Sequence, residues 1–594
     1  MLGRPVRNTN SDTVVILVLS VATLVSALVL PVNPWPRDGW FRSQERLFGV
    51  FLGQDNYTPI AIPAIFFKIN DCVSQWLGFD LRGEMYLASL GQNLLIFLSG
   101  VLVYRSCRLV SRWEVAAVVS VVYLIHVLST GVAQAFWSEA IVIAMFAAVL
   151  YLNLAMHVAP DQSHRHFWVR AVLSSLLIGC LVVTRVTPIL LIPALLSLLY
   201  FRLRPARFMG YATVTCLTTA ALVLAMMASN QVRFGRFELT NSSGRHLWQG
   251  VTEIVDVALG GSPEFARLKE VNPGIQGKNH WEIQLPGREN SHSGAAHDRL
   301  SMILEREEVL KRLSTEAIRN APLLFVKQGL IDFSKTIGIA SYGVGFGERG
   351  GNYDPLNTQE PLPPLAKSMS LFPSLAFKAA ARAIRVAYEI GYLLYPITIL
   401  FVATSYVAIL LNRVEMRRSP AGDPRTGWKS GKAGLVVFLL TGTALVGVID
   451  TSLAASRMTT VERVSVVSTC VALLLWQATS LRAACRRSGA GIGGMAADSA
   501  GLYTFLAATF FGSLWFSWQV ESNNTRNVLP YLPFMAVALA IALDGWARVL
   551  RRMVDELEGC RRKWSPKKYR QNRGQRDQRG GILGASCAVI RHDI

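Results

Sequence analysis

Twelve apolar stretches punctuate this chain, and the arginines between them gather on alternate sides. A helix needs about 20 predominantly apolar residues to cross the hydrocarbon core of a bilayer. The stretches fall at roughly 13–32, 86–104, 113–130, 137–157, 168–184, 186–201, 208–229, 388–411, 434–450, 463–481, 501–518 and 528–548. The pattern predicts an all-α polytopic membrane protein with about 12 transmembrane helices and both termini in the cytoplasm. With the N-terminus inside, Arg4 and Arg7 are cytoplasmic. Arg105, Arg108 and Arg112 follow on the same side, then Arg202, Arg204 and Arg207. Arg413, Arg417, Arg418, Lys429 and Lys432 come next, then Arg482, Arg486 and Arg487. Even-numbered exits land on basic clusters, as the positive-inside rule requires, and an odd number of spans breaks the agreement. Spans five and six form one apolar run interrupted at Thr184-Arg185-Val186-Thr187-Pro188.

Four regions follow. Residues 1–229 form an N-terminal transmembrane module that includes a first exterior loop at 33–85. Residues 230–387 form a large exterior segment, 388–548 hold the C-terminal spans, and 549–594 form a basic cytoplasmic tail. The large segment opens with Gly- and Pro-rich sequence, which reads as loop. From about Asp298 to Asn320 the pattern turns helical, with Leu300, Ile303, Leu304, Leu310, Leu313, Ala317 and Ile318 at three- and four-residue steps. Pro322 ends or kinks that helix, and a second amphipathic piece runs to about Ile337. Helices with one apolar face placed between spans are expected to lie along the membrane surface.

Only 17% of the 594 residues are charged, below the roughly 25% of a soluble protein. The net charge of +21 does not indicate a nucleic-acid partner. Much of the excess lies in cytoplasmic loops and in the tail after Trp546, where it suits anionic lipid head groups. The tail is poor in apolar residues and is expected to be disordered. Eight cysteines are scattered without metal spacing, and only Cys72 falls in an expected exterior loop, so no exterior disulfide is available. The sequence contains no Walker-type phosphate loop, dinucleotide Gly fingerprint, HExxH or GxSxG.

The candidate chemistry lies at span ends on the exterior side. Asp38 follows the first span beside Trp40 and Phe41, and its position also suits a solvated loop acid or a helix cap. Glu139 opens the fourth span. An acid entering hydrocarbon normally faces a protein cavity, although the helix dipole favours one in a first turn in any case. Arg185 stands at the turn between spans five and six, where snorkelling competes with anion binding. Arg526 precedes the last span on the same side, and Lys68 lies in the first loop.

Several of these segments together resemble the GT-C superfamily of integral-membrane glycosyltransferases, notably bacterial relatives of protein O-mannosyltransferases and of the lipid A aminoarabinose transferase. Asp38 and Tyr57-Thr58-Pro59 fit the family's first loop, Ser138-Glu139 its small-residue–Glu pair, and Thr184-Arg185-Val186-Thr187-Pro188 its break in a long apolar run. Asn230, Phe234-Gly235, Ser243-Gly244 and Leu247-Trp248 follow the seventh span in family order. Arg319-Asn320-Ala321-Pro322 and Arg526-Asn527-Val528-Leu529-Pro530-Tyr531-Leu532-Pro533 complete the series. One departure is that Gly39 follows Asp38 where the family often has a second acid. This leaves a single carboxylate for any divalent cation, and Glu45 or Asp55 remain alternative bases.

The resemblance implies a polyprenyl-phosphate-linked sugar as donor and a hydroxyl of a lipid, glycan or protein as acceptor, meeting at the exterior face of a bacterial inner membrane. Asp38 is then the expected catalytic base and Glu139 an auxiliary acid that orients the acceptor or pairs with an arginine. Arg185, Arg526 and Lys68 are expected to bind the donor phosphate. Tyr57, Arg245 and Trp248 are expected at the substrate cavity. No cofactor is required, although a divalent cation remains possible. Two other readings use the same exterior cations. One is an O-antigen ligase or polymerase acting on diphosphate-linked glycans, and the other is a non-catalytic flippase for lipid-linked glycans.

Overall fold

The computed structural model describes residues 9–29, 61–129, 132–133, 139–160, 162–185, 187–200, 203–239, 243–275, 283–286, 296–325, 327–328, 531–541 and 543–544. The chain divides into two compact units, Met1–Ala542 and Leu543–Ile594; the account below concerns the first. All regular structure among the described residues is helical. Five helices contain stretches long and apolar enough to cross a membrane, at Asn10–Leu28, Gly83–Val110, Glu139–Val158, His164–Thr184 and Pro205–Val232. They coincide with the first, second, fourth, fifth and seventh expected spans, and the protein is built to sit in a membrane. The eighth to eleventh expected spans lie outside the described residues.

In chain order the helices are α1 (Thr9–Val29), α2 (Ala61–Trp76), α3 (Leu81–Val110), α4 (Trp113–Ser129), α5 (Glu139–Val158), α6 (His164–Thr184), a 3-10 turn (Thr187–Leu190), α7 (Leu191–Tyr200) and α8 (Pro205–Phe234). Then follow α9 (Ser243–Val251), α10 (Val255–Ala258), α11 (Pro263–Val271) and α12 (Ala296–Asn320), and α13 (Leu532–Ile541).

Helix α5 is the axis of the bundle. Ala148, Tyr151, Leu152 and Val158 alone on it escape full burial, and none of these is exposed. Helices α3, α6 and α7 pack around it. Helix α13 closes another side, with Phe146 meeting Tyr531 and Phe534 edge-on at 5.0 and 5.9 Å between ring centroids. Helix α1 is more peripheral. It buries the seam Val15, Leu19, Thr23 and Ser26, and exposes Leu17, Val21, Leu24 and Leu28. A polar hook holds its first turn. Tyr104 Oη on α3 donates to Asp12 Oδ1 at 2.5 Å, with Arg108 Nε 3.4 Å from the same oxygen and Arg105 Nη1 3.6 Å from Oδ2.

Hydrogen bonds between helices add modestly to their association in a membrane. Asn153 on α5 donates through Nδ2 to Ser174 Oγ on α6 at 2.7 Å and accepts from Tyr211 Oη on α8 at 2.8 Å. Ser175 and Thr215 add a 2.8 Å contact between α6 and α8. All five side chains are buried, so three helices share one satisfied polar knot.

The sixth expected span needs correction. It is a four-residue 3-10 turn followed by a ten-residue helix, together only about 23 Å at 2.0 and 1.5 Å per residue. It nevertheless traverses the bundle. Arg185, just before it, meets Glu139 at the head of α5, and Leu198 O near its end meets His157 Nδ1 at the foot of α5, 3.1 Å away. The cause is local. Pro188 disfavours α geometry at Thr187 and has no N–H to donate, and several residues of the crossing are spent on the break.

The segment after α8 departs further from expectation. Helix α8 stops at Gly235, whose φ of +70° is open to glycine and strained for other residues. Asn230 Nδ2 then clamps the turning chain by donating to Glu238 O (2.7 Å) and Leu239 O (3.3 Å). Part of the stretch that reads as Gly- and Pro-rich loop folds instead into α9, α10 and α11. These share a core with α12 made of Trp248, Val251, Val255, Phe265, Leu268, Leu310, Leu313 and Ala317. The apolar stripe of α12 is thus real, but Leu310, Leu313 and Ala317 are spent on protein packing instead of on a membrane surface. Asn320 Nδ2 donates to Ala258 O at 3.0 Å and ties the end of α12 to α10. The helix ends there, two residues before Pro322.

Gly244 sets the closeness of α9 to α12, because a Cβ at that position would lie 1.9 Å from the Glu307 carbonyl oxygen. Backbone cannot yield as a flexible side chain would. Gly244→Ala is expected to destabilise this four-helix module by about 1–3 kcal/mol or more, the usual cost of overpacking. Thermal unfolding in detergent, followed by tryptophan fluorescence, checks it, and an unchanged midpoint excludes the tight crossing.

Candidate functional site

A buried ion pair stands at the head of α5. Glu139 is the first residue of that helix and is wholly inaccessible to solvent. Arg185 caps the C-terminal end of α6 in an extended conformation, φ −147° and ψ 138°, with its N–H donating to Leu181 O. Its guanidinium Nη2 donates to Glu139 Oε1. Each charge sits at the helix end whose dipole favours it, the acid at an N-terminus and the cation at a C-terminus. The Thr-Pro break stops α6 at Thr184 and frees Arg185 to turn onto its partner. The arginine side chain keeps 18% of its surface accessible while the carboxylate keeps none, so the guanidinium is the member of the pair that faces outward. It presents its N–H donors in one plane.

Another buried carboxylate, Asp71, lies 68 positions before Glu139 in the chain. Helix α2 falls inside the expected first exterior loop and buries Phe67, Asp71 and Ser74. Lys68 Nζ donates to Asp71 Oδ2 at 2.6 Å, and Gln75 Nε2 donates to Asp71 Oδ1 at 2.6 Å. The hydrogen bond to Asp71 raises the Lys68 ammonium above its ordinary range, against a smaller opposing effect of burial. Lys68 is therefore a charge already committed to a buried acid. The other face of α2 exposes Ile65, Ile69, Val73 and Trp76. An amphipathic surface helix thus occurs before α3 instead of at α12. Asn70 Nδ2 donates to Glu84 O at 3.2 Å, and α2 rests on both α3 and α6. The signal for Asp71 was the Lys68–Asp71–Gln75 spacing, which places all three on one helical face.

Among the expected site residues, Glu139 and Arg185 are brought together from 46 positions apart. Lys68 is placed on Asp71. Trp248, expected at a substrate cavity, is instead fully buried in the core of the α9–α12 module, where its indole Nε1 finds no acceptor. The apolar neighbours that enclose it leave no ring face for a ligand. Arg245 lies on the same helix, and its side chain is outside the described residues, as are Asp38, Glu45, Asp55, Tyr57 and Arg526. Among the described residues, no group of three or more His, Cys, Asp or Glu side chains is placed to hold a metal ion. No family model, no curated protein and no solved structure compared with this chain matches it.

Breaking a buried pair by removing one partner typically costs about 3–5 kcal/mol, because the other charge is left uncompensated, whereas replacing both by apolar residues is often near neutral. Glu139→Leu and Arg185→Met are each expected to lower thermal stability strongly, and the double variant to recover most of the loss. Additive losses in that cycle would exclude the pair as a coupled unit. Because Asp71 raises the Lys68 pKa, the amine is withheld from its reactive neutral form. Asp71→Asn is expected to speed acylation of Lys68 severalfold at mildly alkaline pH, read by peptide mass spectrometry, and equal rates would contradict the shift.

Proposed function

We propose that this protein is a membrane glycosyltransferase that moves a sugar from a polyprenyl-phosphate carrier to a hydroxyl of a lipid, glycan or protein acceptor at the exterior face. In this reading the chain crosses a bacterial inner membrane about 12 times with both termini inside. The observation that carries the proposal is the Glu139–Arg185 pair. Two residues from separate segments of the GT-C resemblance meet at one end of the bundle, in the setting a lipid-borne phosphate needs. The carrier's phosphate stays at the membrane surface while its chain remains in hydrocarbon. A partly accessible guanidinium at a helix end can meet it there, and a rigid carboxylate behind fixes the plane of the fork.

The reaction balances with few parts. The acceptor oxygen attacks the anomeric carbon opposite the phosphate. The carbon–oxygen bond to phosphate breaks, the pair of electrons leaves on polyprenyl phosphate, and the acceptor proton passes to Asp38 as general base. A phosphate leaving group needs no proton donor, whereas glycoside hydrolysis requires a second carboxyl group. Arg185 and Arg526 hold the phosphate and stabilise its growing charge. Lys68, committed to Asp71, contributes at longer range. Glu139 positions Arg185 and stays off the reacting atoms. Removing one preorganised partner of this kind costs about 3–4 kcal/mol of barrier, or roughly 100- to 1000-fold in rate.

The test is a transfer assay on detergent-purified protein, with polyprenyl phosphates carrying different single sugars and crude membrane acceptors, read by mass spectrometry. Sugar-dependent release of polyprenyl phosphate that is lost in Asp38→Asn is the expected result. Turnover of Asp38→Asn at the wild-type rate removes Asp38 as the base. Silence of folded wild type across the panel, with turnover of diphosphate-linked glycans, moves the protein to the ligase class.

A further inference from the structure

Helix α3 turns a line of polar side chains toward the protein interior, with Ser89, Gln92, Asn93, Ser99 and Ser106 all buried. Several are accounted for. Ser89 Oγ donates to Ala133 O at 3.2 Å, Asn93 Nδ2 donates to Ser89 O at 2.9 Å, and Ser99 Oγ lies 3.0 Å from Tyr123 Oη. Gln92 is different. It has no accessible surface, and neither Nε2 nor Oε1 has a hydrogen-bond partner. Beside it, Asn93 Oδ1 also lacks a donor. An unmade hydrogen bond on a buried polar group costs roughly 1–3 kcal/mol, and methionine would fill the same space without that cost. Ser106 Oγ further along the same helix is also unmet, but Gln92 leaves both atoms of its amide unanswered beside a third on Asn93, and such a cluster marks a place where something polar binds.

The location fits the proposed site. Ser89 touches the turn that leads into α5, and Gln92 is three residues further along a helix that packs beside α5. The two carboxamides therefore stand at the Glu139 end of the bundle. The adjoining Gly91 lets Phe66 of α2 close over this part of α3, since a Cβ there would lie 2.9 Å from the ring. The unmet groups are two acceptor oxygens and one NH2 donor. Phosphate oxygens only accept, and two carbonyl oxygens facing them would repel. Sugar hydroxyls both donate and accept, and they match the set.

We propose that Gln92 and Asn93 form an uncharged hydrogen-bonding subsite for hydroxyl groups of the transferred sugar, separate from the arginines that take its phosphate. The inference rests on the glycosyltransferase reading above. The test measures unfolding temperature and equilibrium binding of C55 polyprenyl phosphate, bare or carrying glucose, mannose or a pentose, to purified wild type and Gln92→Met. The variant is expected to be as stable as wild type or more so. It should bind the preferred sugar-bearing lipid about tenfold or more weakly, the loss of one to two hydrogen bonds, yet hold the bare lipid within about twofold. Gln92→Leu repeats the comparison with a different shape. A clear fall in stability of both variants assigns Gln92 a structural role and overturns the subsite. So does unchanged affinity for the sugar-bearing lipid, the result if Gln92 holds only an internal water. Wild type that binds bare and sugar-bearing lipid equally also overturns the subsite while leaving the phosphate site standing. Wild type that binds neither lipid overturns the glycosyltransferase reading and the subsite with it.

Discussion

A charge cannot stay alone in hydrocarbon, and this bundle is organised around the consequence. Helix α5 is enclosed on all sides and begins with a carboxylate that no solvent reaches. The partner for that carboxylate must come from another helix, and it must arrive at one particular height. The Thr-Arg-Val-Thr-Pro break supplies it, because stopping α6 at Thr184 delivers Arg185 at the head of α5. The same break shortens the next crossing. It also brings α7 down beside α5 until His157 meets Leu198 O. The ion pair and the His157–Leu198 contact thus index α6 and α7 to α5, and the Asn153–Ser174–Tyr211 knot ties α8 to α5 and α6.

The long spans were legible because an apolar run of about 20 residues has few other uses. Expected limits of 13–32 and 208–229 compare with Thr9–Val29 and Pro205–Phe234. Helix α12 was legible from its three- and four-residue steps, but periodicity names the buried face and not what buries it. Leu310, Leu313 and Ala317 went into a protein core. Helices α9 to α11 were hidden by the residues that delimit them. Pro263 stands in the first turn of α11, Gly260 and Gly261 separate it from α10, and Gly244 permits a close crossing. Punctuation of that kind marks where short helices begin and end as often as it marks their absence. Helix α2 is hidden because a segment between two spans reads as loop, despite its Lys68–Asp71–Gln75 face.

The site was legible in its members and not in its pairings. Glu139 and Arg185 each stood out as a charge at the edge of an apolar run. Whether such an acid faces a ligand, a helix dipole or an arginine 46 positions away depends on how α5 and α6 pack, which no local pattern states. Gln92 was invisible for the opposite reason. A single amide in a span is unremarkable until its surroundings show that every neighbour has left it unanswered.

The shortness of the α7 crossing bears on the membrane itself. Its 3-10 turn and ten-residue helix reach about 23 Å, while the hydrocarbon core is about 30 Å thick. Ile189 and Tyr200 on this segment are exposed, as side chains that face lipid would be. Mismatch costs fractions of a kcal/mol per ångström and is relieved by local thinning. A bilayer that thins beside α7 brings its head-group planes closer to the ends of this segment. Under the glycosyltransferase proposal, such thinning would bring a carrier lipid's phosphate nearer the guanidinium without lifting its chain into water, so the bilayer's own deformation would do part of the work of loading.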